Sequence, residues 1–411
     1  MRKKPSILFM NRVLFPEQGE TGRVLRDLSR AFAQDGWDVT ILSLHTSKET
    51  KPTSKRLKIK TAKAWFGKSF LGYVWAWLRL LTLALFQPRT DIVVTMTDPP
   101  LLVVVGRIVS LLKGSRHVHW CQDLYPDLFP VLGYPQILKN ITNWASSRAL
   151  RKCDKVIVIG RCMARKIANK NVIPSNITVI PNWYNPTQKR TAPKKKSKGK
   201  SNPQRKALKI KTSKDEKDII FDETQKFRVL YAGTIGRAHK LETIINAARI
   251  IQEDAPDIEF VFVGDKRGHE KLLTAKNEGG LQNIRLIPYQ PESALKPLME
   301  SGDIHIVTLD KEAEGLMVPS KFYSAIAASR PCIFIGPKNS EISKVMRDFE
   351  CGTVIEQDDE QGLINAIEAY RNDEKIWFKH QEGAIEAAKR FIPEQSWQVW
   401  LQRMHNLMRQ P

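Results

Sequence analysis

The chain has 411 residues, 42% hydrophobic and 27% charged, with a formal net charge of +23. That length supports two or three domains with buried cores, and the balance excludes a wholly disordered or fibrous chain. Five scattered cysteines with no CxxC pair argue against a zinc site or disulfide framework and fit a reducing compartment. The start, MRKKPSILFMN, is too short and strand-like for a secretory leader, so the chain is expected to stay in the cytosol.

SILFMN reads as a buried first strand, and TGRVLRDLSRAFAQDG as an amphipathic helix that Gly36 stops. DVTILSL, DIVVTM, HVHWCQD, DKVIVIG and ITVIPNW follow as strands. Apolar strands alternating with helices predict a parallel sheet covered on both faces. Between them, Trp65 to Phe86 is aromatic and apolar behind the cationic KRLKIKTAK, with Lys68 and Arg79 interrupting it. Those charges disfavour a membrane span and suit a helix lying in a membrane interface; an ordinary amphipathic helix is the plainer alternative.

Residues 187–226 are rich in Lys, Pro and Ser. Such a stretch buries too little to offset its ordering entropy, and it reads as a disordered basic linker or insertion. After it the pattern restarts: FRVLYAG, IEFVFVG, IRLIPY, IHIVTL and CIFIG are strands separated by helices. The expectation is α/β: two doubly wound, Rossmann-like domains, 1–186 and 227–393, facing across a cleft. A final helix over 394–411 would cross back to the first domain. Ligands of open α/β sheets bind beyond the carboxyl ends of the strands.

Four segments meet that requirement in the second half. VLYAGTIGRAHKLET offers Gly233 and Gly236 for close backbone approach, with Arg237 and Lys240 adding charge. FVFVGD ends in Gly264 and Asp265, which a simple turn explains equally well, and the loop from Pro288 is a wall for a flat base. In VPSKFYSAIAASRP, Ser320 is placed to cap a helix that Lys321 begins. A cation at that end opposes the helix dipole unless an anion, such as a diphosphate, lies between them. In the first half, Asp123 follows a strand and either orients a substrate hydroxyl or caps a helix. His119 lies within the strand and reads as packed.

Together VLYAGTIGRAHKLETIINAA, FVFVGDK, IPYQPESALKPLMESGDIHIVTL and VPSKFYSAIAASRP resemble the donor-binding half of GT-B glycosyltransferases of family 4. FPEQGETGRVLRDLSRAFAQDGWDVTILS, HWCQDLYPDLFPVLG and VIPNWYN resemble the first half of its surface-polysaccharide and O-antigen branch. The resemblance implies retaining transfer of a sugar from a nucleotide diphosphate, a UDP-sugar by expectation, to a lipid-linked saccharide. It implies no metal or other cofactor, so side-chain cations and helix amides must stabilise the leaving diphosphate. Lys321 and Arg237 take that role, with the amides from Gly19 to Gly22.

Some positions depart from the family. Of its two Glu separated by seven residues, the second falls on Ser324, and Glu314 or Glu312 supplies the first. The Arg and Lys of the glycine loop fall on Thr234 and His239, so their charge is either moved to Arg237 and Lys240 or lost. The His before the acceptor-side Asp is Gln122. The expected setting is the cytoplasm, peripheral on the inner face of the plasma membrane, with an anionic membrane surface as partner and no specific nucleic acid. A nucleotide-sugar epimerase on this fold and a non-enzymatic basic protein binding membrane or RNA are the alternatives.

Overall fold

In a computed structural model the structure describes residues 4–14, 20–44, 54–63, 69–184, 208–210, 219–221, 226–290 and 292–410. Two compact units divide the chain: 1–183 with 315–318 and 394–411, and 184–314 with 319–393.

In the first unit, β1 (Ser6–Met10), β2 (Asp38–Leu44), β3 (Leu57–Ala62), β4 (Ile92–Thr95), β5 (Arg116–Cys121), β6 (Lys155–Val158) and β7 (Ile177–Val179) form a parallel sheet. Its order is β3-β2-β1-β4-β5-β6-β7. Its helices are α1 (Glu20–Gln34), α2 (Phe70–Leu85), α3 (Leu102–Lys113), α4 (Gln136–Arg151) and α5 (Arg161–Ala168). Successive β1 side chains alternate between faces. Ile7 and Phe9 join Val24, Leu28 and Phe32 of α1, while Leu8 and Met10 join Leu80 of α2 and Val109 of α3. β3 was read in the sequence as a cationic flank. It is an edge strand pairing with β2, and its lysines alternate with Leu57 and Ile59, a pattern that discourages edge association.

The second unit repeats the plan. A short antiparallel pair, β8 (Leu208–Ile210) and β9 (Ile219–Phe221), lies inside the stretch expected to carry no structure. LKI and IIF bring the branched apolar residues that the surrounding Lys-rich sequence lacks. The main sheet holds β10 (Phe227–Ala232), β11 (Ile258–Gly264), β12 (Ile284–Pro288), β13 (Ile304–Thr308), β14 (Cys332–Ile335) and β15 (Gly352–Ile355), all parallel, in order β12-β11-β10-β13-β14-β15. Around it lie α6 (Glu242–Asp254), α7 (Lys266–Glu278), α8 (Glu292–Ser301), α9 (Lys321–Ala327), α10 (Glu341–Phe349), α11 (Glu360–Asn372) and α12 (Glu374–Arg390). Tyr231, Phe260 and Phe262 pack under α6 and α11 on one face, and Leu230, Val261 and Val263 under α8 on the other.

The last helix, α13 (Pro393–Arg409), completes the core of the first unit. Trp400 is fully buried with its ring 4.9 Å from Trp120, and Trp397 meets Trp183 edge-on at 6.1 Å. Ser396 Oγ donates to Pro181 O at 3.0 Å. No helix among the described residues is long and apolar enough to cross a membrane.

Candidate functional site

Each sheet reverses its strand order once, and at that point the loops leaving two neighbouring strands diverge to opposite faces. In the second unit the reversal lies between β10 and β13. Gly233 leaves β10 with φ +127, and a Cβ there would stand 3.0 Å from Lys321 Cε and 3.2 Å from Cγ. Only glycine allows both the dihedral and the passage of that side chain. A Cβ on Gly264, at the end of β11, would come 3.1 Å from Gly233 O, so these two strand ends are also closely apposed.

Lys321 is the first residue of α9. Its ammonium lies 3.3 Å from His239 Nε2 and 5.4 Å from the centre of the Tyr231 ring. His239 Nδ1 is 2.7 Å from Thr308 O. That carbonyl can only accept, so Nδ1 carries the proton and Nε2 keeps a lone pair for Lys321. Burial lowers the Lys321 pKa to about 7. Burial, and then the Lys321 charge, lower His239 to about 3. No carboxylate of the described residues pairs with Lys321. The resulting feature is a desolvated cation at a strand switch, held by a neutral imidazole.

Ser320 stands at the N-cap position with helical dihedrals, φ −66 and ψ −20, and makes no side-chain cap bond. This corrects the capping role read from the sequence. A capping hydroxyl needs an extended backbone to reach the amides ahead of it. Ser324 is partly buried one turn along α9. Glu314 is partly buried just after a short 3-10 turn, Lys311–Ala313, and Glu312 is exposed within it.

Lys240 pairs with Asp310 at 3.0 Å, and that carboxylate also accepts the Glu312 amide at 3.0 Å. Its charge is therefore already neutralised. Arg237 and Gly236 are exposed in the segment leading to α6. Asp265 caps α7, accepting the Gly268 amide at 2.9 Å. Pro288, at the end of β12, is exposed and precedes Tyr289, whose hydroxyl bonds Thr234 Oγ1. Thus Thr234, Gly264 and Tyr289 line the carboxyl edge next to Lys321. The sequence reading named the Pro288 loop but missed the aromatic ring that follows.

In the first unit the reversal lies between β1 and β4. Arg12, beyond β1, donates two bonds to Asp98, beyond β4, at 2.7 and 3.0 Å, and its guanidinium sits 5.8 Å over Tyr73 of α2. Beyond β5, Asp123 is partly buried, and burial and then the Asp98 charge push its pKa up to about 7. None of Arg12, Asp98 and Tyr73 was singled out in the sequence, because they converge only through the strand order. Gln122 exchanges two amide bonds with Asn182, at 3.0 and 2.7 Å. His119 Nδ1 is bonded to Thr95 Oγ1 at 3.1 Å within the buried interior. Gly22 is buried in the first turn of α1, and Gly19 lies outside the described residues.

Comparison with known proteins places both halves. The family model described as Glycosyltransferase Family 4 matches residues 21–188, and Glycosyl transferases group 1 matches 212–391. WcaI of Escherichia coli K12, by name a colanic acid biosynthesis glycosyl transferase, is 25% identical over 306 residues, 72% of this chain and 70% of WcaI. The glycosyltransferase WbjE of Pseudomonas aeruginosa is 24% identical over 284 residues, covering 68% of this chain and 66% of WbjE. Among solved structures, Anabaena HepE in complex with UDP-glucose superposes with a TM-score of 0.70 at 14% identity, covering 98% of this chain and 99% of HepE. Sucrose-phosphate synthase of Thermosynechococcus elongatus reaches 0.74 at 14% identity, again over 98% and 99%.

Proposed function

From a chain that belongs to glycosyltransferase family 4, with the GT-B fold and the surface-polysaccharide type of its relatives, we propose a retaining transfer from a UDP-sugar to a lipid-linked saccharide. The observation that carries this reading is the partly buried Lys321 ammonium, which among the described residues has His239 but no carboxylate beside it. Burial without an anion disfavours the charge, and a diphosphate placed against Gly233 restores it. The same cation then stabilises the leaving diphosphate as charge grows on it, a contribution of about 3 kcal/mol for one well-placed donor. Arg237 adds a second cation from its exposed turn. Tyr289 supplies a ring face for the base, and Glu314 and Ser324 address the ribose and sugar hydroxyls. No metal is required in this scheme.

The acceptor belongs to the first unit. Asp123, with its pKa near 7, exchanges a proton readily at neutral pH and is assigned to orient the acceptor hydroxyl. Arg12, fixed by Asp98 through Nε and Nη2, keeps Nη1 as a hydrogen-bond donor for an acceptor diphosphate. The chain works at the inner face of the plasma membrane, where lipid-linked saccharides are met. UDP titration calorimetry with wild type and Lys321→Ala tests the donor site, and product analysis with UDP-sugars and a lipid-diphosphate saccharide tests the transfer and its anomeric outcome. Equal UDP affinity in the variant, or an inverted product, would overturn the reading.

A further inference from the structure

We propose that the outer face of α2, α3 and α4 is a bilayer-docking surface for anionic lipid, with α4 an anchor in its own right. The inference rests on the lipid-linked acceptor above and adds where the lipid lies. Of nineteen large apolar side chains strongly exposed among the described residues, eleven fall between Leu71 and Trp144. Ile137, Ile141 and Trp144, spaced four and three apart on α4, are 66, 69 and 70% exposed. That spacing puts them in one line along the helix. Leu112 of α3 and Leu78 of α2 are exposed by 67 and 54%, and α3 packs against both α2 and α4. An apolar face over three adjacent helices is more than a soluble surface carries by chance.

Charge identifies the occupant. The three helices carry six Lys or Arg and no Asp or Glu. Arg148 lies 5.9 Å over the Trp144 ring, and Arg79 5.7 Å over Trp75. Indole rings with adjacent cations suit the headgroup level, where aromatic rings partition and anionic lipid attracts each base. A protein partner would be expected to meet some acidic side chains as well, and these helices carry none. The face is also tied to the acceptor crevice. Tyr73 of α2 meets Arg12, and Tyr134, just before α4, influences Tyr73 from the same side. A lipid diphosphate in the headgroup layer would therefore reach Arg12 and Asp123 without leaving the bilayer.

The test is co-sedimentation of the full chain with vesicles of phosphatidylcholine alone or with about 30% phosphatidylglycerol. Wild type is expected to bind the anionic vesicles at least tenfold more tightly. Ile141→Gln with Trp144→Gln, and separately Lys139→Glu with Arg148→Glu, should each reduce that binding about tenfold while UDP affinity and circular dichroism stay unchanged. Equal binding of these variants, as when the Lys-rich stretch 189–217 alone recruits the chain, would overturn the proposal. So would a wild-type dimer, seen by light scattering, that the same substitutions dissociate. Vesicle binding as described in a chain that fails to bind UDP would remove the transferase reading and leave the docking face standing.

Discussion

Burial of the Lys321 ammonium without a carboxylate works against the folded, unliganded protein. Its pKa is about 7 when folded against 10.5 unfolded, so the unfolded chain holds the proton more tightly. Stability from this group is full above about pH 10.5 and is lost as pH falls toward 7. Lys321→Met should therefore raise the unliganded melting temperature by about 2–4 °C, the shift that roughly 1 kcal/mol gives in a domain of this size, while abolishing UDP binding. A lowered melting temperature would show that the ammonium is not a burden. UDP binding should also take up a proton above pH 7, read by calorimetry in buffers of different ionisation enthalpy, with affinity falling as pH rises. The identity of Lys321 was legible in VPSKFY, because a cation at a helix start asks for an anion. Its partner was not: His239 lies 82 positions away, and Arg12 and Asp98 lie 86 apart. Ser320 misled because residue type alone does not disclose the dihedral that a cap requires.

At the scale of elements, apolar runs between helices gave away both sheets, since a strand covered on two faces carries few polar positions. β3 and the β8–β9 pair escaped for the opposite reason. Their lysines look like solvated sequence, and only pairing with a neighbour distinguishes an edge strand from a flank. β5 carries a further consequence. His117 and His119 share Thr95 Oγ1 at 3.0 and 3.1 Å, and burial lowers both to about 3. The folded strand refuses protons that the unfolded chain accepts near pH 6.5. Stability should hold above that pH and fall as pH drops from about 6.5 toward 3. Urea midpoints between about pH 7 and 5 measure this, and His117→Gln should flatten the slope if the imidazoles are responsible. Under α13, Trp400→Ala should cost about 3–5 kcal/mol, seen in the unfolding of the first unit while UDP affinity in the second is retained.

For the whole molecule, two strand-order reversals set two chemistries: a buried cation in the second unit, and a protonatable carboxyl with a fixed guanidinium in the first. The repeat of the α/β pattern after the basic stretch made this division readable, because each half contains the strands of its own sheet. α13 follows the second unit in sequence but belongs to the first, as does the short stretch 315–318. Removing residues 394–411 should expose Trp120 and Trp183 and leave the first unit prone to aggregation, as measured by dye binding and size exclusion. A soluble, cooperatively folding truncation would show that α13 only decorates the surface.

That placement of α13 has a bearing on biosynthesis. As the polypeptide emerges from the ribosome, the first unit must wait, its tryptophan-lined flank unsealed, until the whole of the second has been made. Anyone wishing to produce the first unit by itself would have to graft the closing helix onto it, for instance after residue 183 through a short linker.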